Sequence, residues 1–238
     1  MQKSMVNQLF DFEKYKAVLW DLDDTLYNRR AAAELLFADM LKELVYPGRE
    51  EAFYRQAAKD MMRLAGRENM LRKETLDGLF LIYPPEKEPD RAACNDYYLD
   101  FIHRYIKEPY ARQMEIVKTL RECGIKNSIV TNGKHPEVQH RKIAVLGIAE
   151  AFDDVIVSGD VGFHKPDRRI YDLAAANLGV KNEECLFVGD SDTTDIPGAV
   201  NAGMDAVWLD ILDAENIFSG NPSVTKIEKI DEYFGNVR

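Results

Sequence analysis

The sequence predicts an α/β fold with a mainly parallel sheet, interrupted after its first strand by a block of helices. Three observations carry this expectation. Beyond Pro109, short apolar runs alternate regularly with stretches of helical spacing, which implies strand–helix–strand units with right-handed crossovers. Between residues 29 and 107 the strand signal gives way to apolar stripes at helical period. Finally, four aspartates, a threonine and a lysine each stand beside the C-terminal end of an apolar, β-branched or aromatic run, where open α/β folds place their ligands.

The first strand is expected at residues 17–20, an apolar run broken by an acidic cluster, as suits a buried strand of a parallel sheet. In the helical block, Leu36, Met40 and Leu44 recur every four residues, as do Phe53, Ala57 and Met61, and then Tyr97, Phe101 and Tyr105. Breaks at Pro47-Gly48, around Gly66 and at Pro84-Pro85 divide the block into four helices, enough to bury one another's stripes. Asp90, after Pro89, suits the N-cap of the fourth. Next come a helix over 110–123 ending at Gly124, a strand through Ile129 and Val130, a helix over 136–146 and a strand at 155–157. The helix after Pro166 should stop at Gly179, where glycine suits a left-handed cap. A strand at 185–188, a helix over 195–202 and a last core strand at 206–209 complete the series. The sheet domain is thus expected from residues 1–28 and 108–238, and the inserted helical domain from 29–107.

Composition narrows the function. Forty-one acidic against 31 basic residues give a net charge of −10, which favours solubility and argues against a nucleic-acid polymer as partner. No segment is long enough to span a bilayer, and the first residues mix Lys3, Asp11, Glu13 and Lys14 without the apolar run of a signal peptide. Cys94, Cys123 and Cys185 are odd in number and far apart, and read as buried thiols of a reducing compartment. A cytoplasmic protein is expected.

The polar residues lie in AVLWDLDDT (Asp21, Asp23, Thr25), SIVTNG (Thr131), HKPD (Lys165) and LFVGDSDTTD (Asp190, Asp195). Four aspartates in one crevice would face only Lys165, and two like charges 4 Å apart repel by about 4 kcal/mol at an effective dielectric of 20. Such a cluster calls for a cation. Mg²⁺ suits it, being a hard ion held by one or two carboxylates plus a phosphate oxygen, and the cluster holds no Cys or His to favour zinc. These parts fit phosphoryl transfer, and a carboxylate can serve as the covalent nucleophile. On an ideal strand Asp21 and Asp23 would share a face, so that one could attack while the other handles the proton.

Together, DLDDT, TNG, KPD and GDSDTTD resemble the four ordered signatures of the haloacid dehalogenase superfamily, and the helical insertion resembles the C1 cap of its subfamily I. The resemblance covers nearly the whole chain and implies a Rossmannoid core. It implies Asp21 as nucleophile, Asp23 as general acid and then base, and Mg²⁺ held by Asp21, the backbone carbonyl of Asp23 and Asp190. Thr131 would donate to the phosphoryl group, Lys165 would offset its charge, and Asp195 would act one step removed. Backbone N–H groups near Leu22 and Asp23 and at Asn132 and Gly133 could cradle phosphate oxygens. The implied activity is hydrolysis of a small phosphorylated metabolite. TNG and the Trp-Leu-Asp ending near Trp208 resemble the nucleotidase branch, with sugar phosphates as another substrate class. Dehalogenation, a phosphonatase using a lysine such as Lys42, Lys59, Lys73 or Lys87, a phosphosugar mutase and a non-catalytic phospho-switch are the alternatives. Dehalogenases of this fold characteristically lack the metal-site carboxylates found here at Asp23 and Asp190.

Several residues also have plainer readings. Asp195 before Ile196-Pro197 suits a helix N-cap, and Asp167 a cap rather than a catalyst. Asp24 and Asp192 read as turn or surface charges, Asp153-Asp154 as structural, and His135 and His140 as loop and helix-surface residues. His164 draws interest only through its neighbour Lys165. Tyr27, Arg29 and Arg30 suit a hinge or a substrate contact equally.

Overall fold

The structure, a computed structural model, describes residues 9–66 and 71–237. The chain divides into two compact units, Met1–Tyr27 with Glu108–Arg238, and Asn28–Lys107.

In the first unit the strands are β1 (Ala17–Trp20), β2 (Lys126–Thr131), β3 (Asp154–Val157), β4 (Cys185–Gly189), β5 (Asp205–Leu209) and β6 (Val224–Ile227). They form one sheet in the order β3-β2-β1-β4-β5-β6, with every pairing parallel. β1 is central, and its Trp20 stands level with Ile129 of β2 and Val188 of β4. The period-two alternation of a strand sends its side chains to opposite faces. Ala17 and Leu19 join Ile170, Tyr171, Ile196 and Ala199 in one core, whereas Trp20 stacks on Phe234, centroids 5.6 Å apart. Both faces of β1 are therefore dry, as its unbroken apolar run requires.

The strand order reverses at β1, the kind of switch point where α/β sheets open a crevice at their carboxyl ends. Asp21 follows β1, Thr131 ends β2, Ser158 follows β3 and Asp190 follows β4. Connecting helices are Ala111–Glu122, Pro136–Leu146, Ser158–Val161, Arg168–Leu178 and Asp195–Ala202, with Asp231–Phe234 near the end of the chain. Gly179 caps the helix Arg168–Leu178 at φ +67°, as expected. The chain leaves this unit after Tyr27 and returns at Glu108. Tyr110 N–H donates to the Leu26 carbonyl at 2.8 Å, and the buried Gln113 amide reaches the Thr25 carbonyl at 3.4 Å.

The sixth strand is a correction, because 206–209 was expected to be the last. Val224–Ile227 is a four-residue, half-exposed edge strand reading VTKI, with polar residues at its centre, and carries no apolar run to announce it.

In the second unit, helices Arg29–Met40, Glu51–Ala65, Lys73–Ile82 and Arg91–Phe101 bury Leu36, Phe37, Met40, Tyr54, Ala57, Met61, Leu79 and Cys94. Asp90 caps the fourth, accepting from Ala92 and Ala93 N–H at 2.9 and 3.1 Å. Of the expected stripes, Phe53, Tyr97, Phe101 and Tyr105 are only half-buried, and Leu44 departs outright. Leu44 is exposed while Leu41 and Val45 are buried, because residues Leu41–Val45 form a π-helical turn, closed by Tyr46 N–H on the Leu41 carbonyl. The wider turn moves the buried position one residue along.

Cys94 and Cys185 are buried, but Cys123 is exposed, against expectation. It sits at the C-terminus of the helix Ala111–Glu122, just before Gly124 turns the chain at φ +79°.

Candidate active site

β1 delivers Asp21 to the crevice by continuing its ladder one residue further, since Asp21 N–H donates to the Val188 carbonyl at 2.9 Å. The named strand ends at Trp20, and Asp23 lies near enough that its charge raises the Asp21 carboxyl. Asp24 takes φ +65°, and Asp23 forms an isolated bridge with Tyr27. Asp24 belongs to a turn, as read, but it is 1% exposed and is no surface charge.

Lys165 is the electrostatic hub. Its side chain is 2% exposed, and Nζ lies 2.6 Å from Asp21 Oδ1 and 2.7 Å from Asp195 Oδ1. The Phe187 ring lies beneath it, 5.4 Å from Nζ to centroid. Asn132 anchors the lysine by a reciprocal pair of bonds, its amide donating to the Lys165 carbonyl at 3.0 Å and its carbonyl accepting from Lys165 N–H at 2.9 Å. The segments TNG and HKPD are thereby tied together.

Asp195 opens the helix Asp195–Ala202, whose N-cap is Thr194. Instead of capping that helix, Asp195 accepts from Ser191 N–H through Oδ2 at 3.1 Å and gives Oδ1 to Lys165. Gly189 makes room for it, because a Cβ there would lie 2.2 Å from Asp195 Oδ2. Behind the same helix, Tyr171 donates to the Thr194 and Asp195 carbonyls at 2.8 and 3.1 Å.

Carboxylate oxygens of Asp21, Asp190 and Asp195, all buried, lie within 4.8 Å of one another. Burial pushes the Asp21 carboxyl up to about 7, and Asp195 and Asp23 add to the rise while Lys165 opposes it. One ammonium therefore does not balance the site. Asp195 is engaged by Lys165 and Ser191 and Asp21 by Lys165, and the three carboxylates together form a group that could hold a cation. Hard oxygen donors in a field of uncompensated negative charge fit a small divalent ion.

Asp23 faces a second cation. Lys142 Nζ lies 2.9 and 3.0 Å from its two oxygens, Tyr27 donates to Oδ1 at 2.5 Å, and Gln139 donates to Oδ2 at 3.2 Å. Gln139 also donates to Thr131 Oγ1 at 2.7 Å and to the Asn132 carbonyl at 3.1 Å. The expectation that Lys165 alone opposes the acidic cluster is corrected by Lys142. Its sequence signal was a polar pair, Gln139 and Lys142, on the buried stripe that also holds Val138, Ile143 and Leu146.

Gly133 is a further correction. Its N–H donates to Ser158 Oγ at 2.9 Å and is spoken for, so it does not offer itself to a phosphate. What glycine supplies there is space, since a Cβ would stand 2.5 Å from Gln139 Cγ. Ser158, unremarked in the sequence, also contacts His164 Nδ1 at 2.6 Å. Leu22 is fully buried between the two aspartates. Away from the site, Asp167 caps its helix by accepting from Arg169 N–H at 3.0 Å, and His140 pairs with Asp160 at 2.8 Å. Asp153 accepts from Asn127 N–H at 2.8 Å, a structural role as expected.

Residues 15–203 match the family model of haloacid dehalogenase-like hydrolases. The chain is 34% identical over 200 residues to the glyceraldehyde 3-phosphate phosphatase of Methanopyrus kandleri, covering 82% of this chain and 83% of that one. It is 33% identical over 189 residues to the pyrophosphatase PpaX of Halalkalibacterium halodurans, covering 79% and 80%. Among solved structures it resembles the HAD-hydrolase YfnB of Bacillus subtilis, described as bound to magnesium, with TM-score 0.69, 25% identity and coverage of 92% and 96%. With its six-stranded parallel sheet and the acidic crevice at the carboxyl ends of the strands, the chain belongs to the haloacid dehalogenase-like hydrolases, as an enzyme of their phosphatase type.

Proposed function

We propose that the chain is a Mg²⁺-dependent phosphohydrolase that cleaves small soluble phosphomonoesters through an aspartyl-phosphate on Asp21. The observation that carries this reading is Lys165, buried and bridging Asp21 and Asp195, with Asp190 in the same carboxylate cluster. Asp21 attacks the phosphorus as the ester oxygen departs, and Asp23 gives that oxygen its proton. Asp23 then takes a proton from the water that attacks the aspartyl-phosphate, which frees inorganic phosphate and restores Asp21. Thr131 donates its hydroxyl to a phosphoryl oxygen. Lys165 offsets the charge gathered on Asp21 and the phosphoryl group, and Asp195 and Asn132 hold Lys165 in place.

Asp21, Asp190 and the backbone carbonyl of Asp23 would hold Mg²⁺. When bound, Mg²⁺ supplies positive charge to the phosphoryl oxygens during transfer. A relative is described as magnesium-bound, and the donor set here is all oxygen. The helical unit is read as a C1-type cap whose side chains choose the substrate. Relatives named for glyceraldehyde 3-phosphate and for pyrophosphate support a small phosphorylated metabolite, and nucleoside monophosphates and sugar phosphates belong in the same substrate screen. No described helix is long and apolar enough to cross a membrane.

The test is hydrolysis of p-nitrophenyl phosphate. Asp21→Asn should abolish it while leaving circular dichroism unchanged, and EDTA should stop turnover until Mg²⁺ is restored. Full activity in Asp21→Asn would remove the nucleophile assignment. Release of halide from a 2-haloacid without metal would move the reaction to dehalogenation.

A further inference from the structure

We infer that Gln139 and Lys142, on the helix Pro136–Leu146, are positioning residues that fix the Asp23 carboxylate and the Thr131 hydroxyl in one frame. The inference rests on the proposed role of Asp23 in proton transfer. Lys142 Nζ is nearly equidistant from the two Asp23 oxygens, at 2.9 and 3.0 Å. It therefore lies near the bisector of the carboxylate and sets the direction in which the group points. Tyr27 on Oδ1 at 2.5 Å and Gln139 on Oδ2 at 3.2 Å then set its plane.

The Gln139 amide can sit only one way round. Its nitrogen faces three acceptors, Asp23 Oδ2, Thr131 Oγ1 and the Asn132 carbonyl, and the flipped amide would turn oxygen against a carboxylate and a carbonyl. Because Thr131 Oγ1 accepts from Gln139 at 2.7 Å, its own O–H is directed elsewhere and is left to donate. Gly133 preserves the arrangement, because a side chain there would collide with Gln139.

Stability alone does not account for the lysine. Its side chain is 4% exposed and that of Asp23 14%, and a buried ion pair of this kind is commonly no more stabilising than apolar residues of equal volume. What the pair does supply is a fixed bearing for the carboxylate.

The experiment measures kcat/KM with Mg²⁺ for a series of esters, from p-nitrophenyl phosphate through phenyl phosphate to an alkyl phosphate. kcat/KM reports the steps up to departure of the leaving group, and the poorer leaving groups depend most on a well-aimed proton donor. Asp23→Asn is the reference. Lys142→Met should lose at least about tenfold more on the alkyl ester than on p-nitrophenyl phosphate. Gln139→Met, which leaves the Lys142–Asp23 pair in place, should show a smaller loss of the same kind, and it serves alone if Lys142→Met does not fold. A merely structural defect lowers every ester by one factor. Equal losses across the series in the folded variants, with a steep dependence in Asp23→Asn, would overturn the inference. A flat series in Asp23→Asn itself would instead sink the proton-transfer role assigned to Asp23.

Discussion

Replacing Lys165 by methionine keeps an unbranched side chain one heavy atom shorter and removes its charge, leaving Asp21, Asp190 and Asp195 together without their ammonium. At an effective dielectric of 20, each contact of Lys165, at 2.6 and 2.7 Å, represents roughly 6 kcal/mol of gross attraction. Much of that offsets the cost of burying the lysine. Breaking a buried pair by deleting one partner typically leaves a net loss of about 3–5 kcal/mol, which for a chain of this length is a melting temperature lower by roughly 10 °C. The loss should depend on pH. Burial already raises the Asp21 carboxyl to about 7 with Lys165 pulling it down, so without Lys165 it rises further. A carboxyl raised on folding favours the folded state in acid and loses that contribution as pH climbs through its folded value. Melting in EDTA should therefore show a smaller deficit at pH 5.5 than at pH 8, since the contact with Asp195 is lost at both and only the Asp21 part varies, with Mg²⁺ recovering some of it. A shift under about 2 °C at pH 8, or equal shifts at both pH values, would refute this account of Lys165. Hydrolysis should fall by about 10²-fold or more, the usual effect of removing one group that stabilises transition-state charge.

Three further outcomes are expected. Because Asp21 holds its proton up to about pH 7, Mg²⁺ binding at pH 6 should expel a proton that is absent at pH 8.5. Calorimetry in buffers of different ionisation heat measures this, and equal proton release at both pH values would count against the Asp21 assignment. Gly189→Ala would set a methyl 2.2 Å from Asp195 Oδ2, and the forced shift should cost about 1–3 kcal/mol together with most of the activity; an unperturbed variant in denaturant titration and assay would show that Asp195 is not held there. Of the three thiols, Cys123 alone should react with a disulfide reagent in the native protein, because Cys94 and Cys185 are buried and burial pushes Cys185 up to about 12. Release of three equivalents without denaturant would contradict the packing.

The core strands and the carboxylates of the crevice are legible because each rests on a local pattern. An apolar run ends in an acid at Asp21 and again at Asp190, and helices close at Gly147 and Gly179, where left-handed backbone is needed. The partners of Asp23 were harder to see. Gln139 and Lys142 are ordinary helix residues until the fold turns that face onto the crevice, so their meaning depends on a contact more than a hundred residues away in sequence. The pairing of Gly133 N–H with Ser158 is likewise a relation between two strand ends. Spacing of four fails at Leu44 because it assumes a regular helix, whereas a π-turn adds a residue. β6 leaves little trace in the sequence because an edge strand needs little apolar sequence to pair.

The hydrogen bond from Tyr110 to the Leu26 carbonyl closes the doorway through which some eighty residues depart and come back. Entry and exit are neighbours, so the strand ladder does not feel how much chain is threaded between them. Loop-closure entropy grows only with the logarithm of length, about 0.6 kcal/mol for each doubling. A framework fastened in this way can exchange one insert for a larger or smaller one at almost no cost to its own sheet.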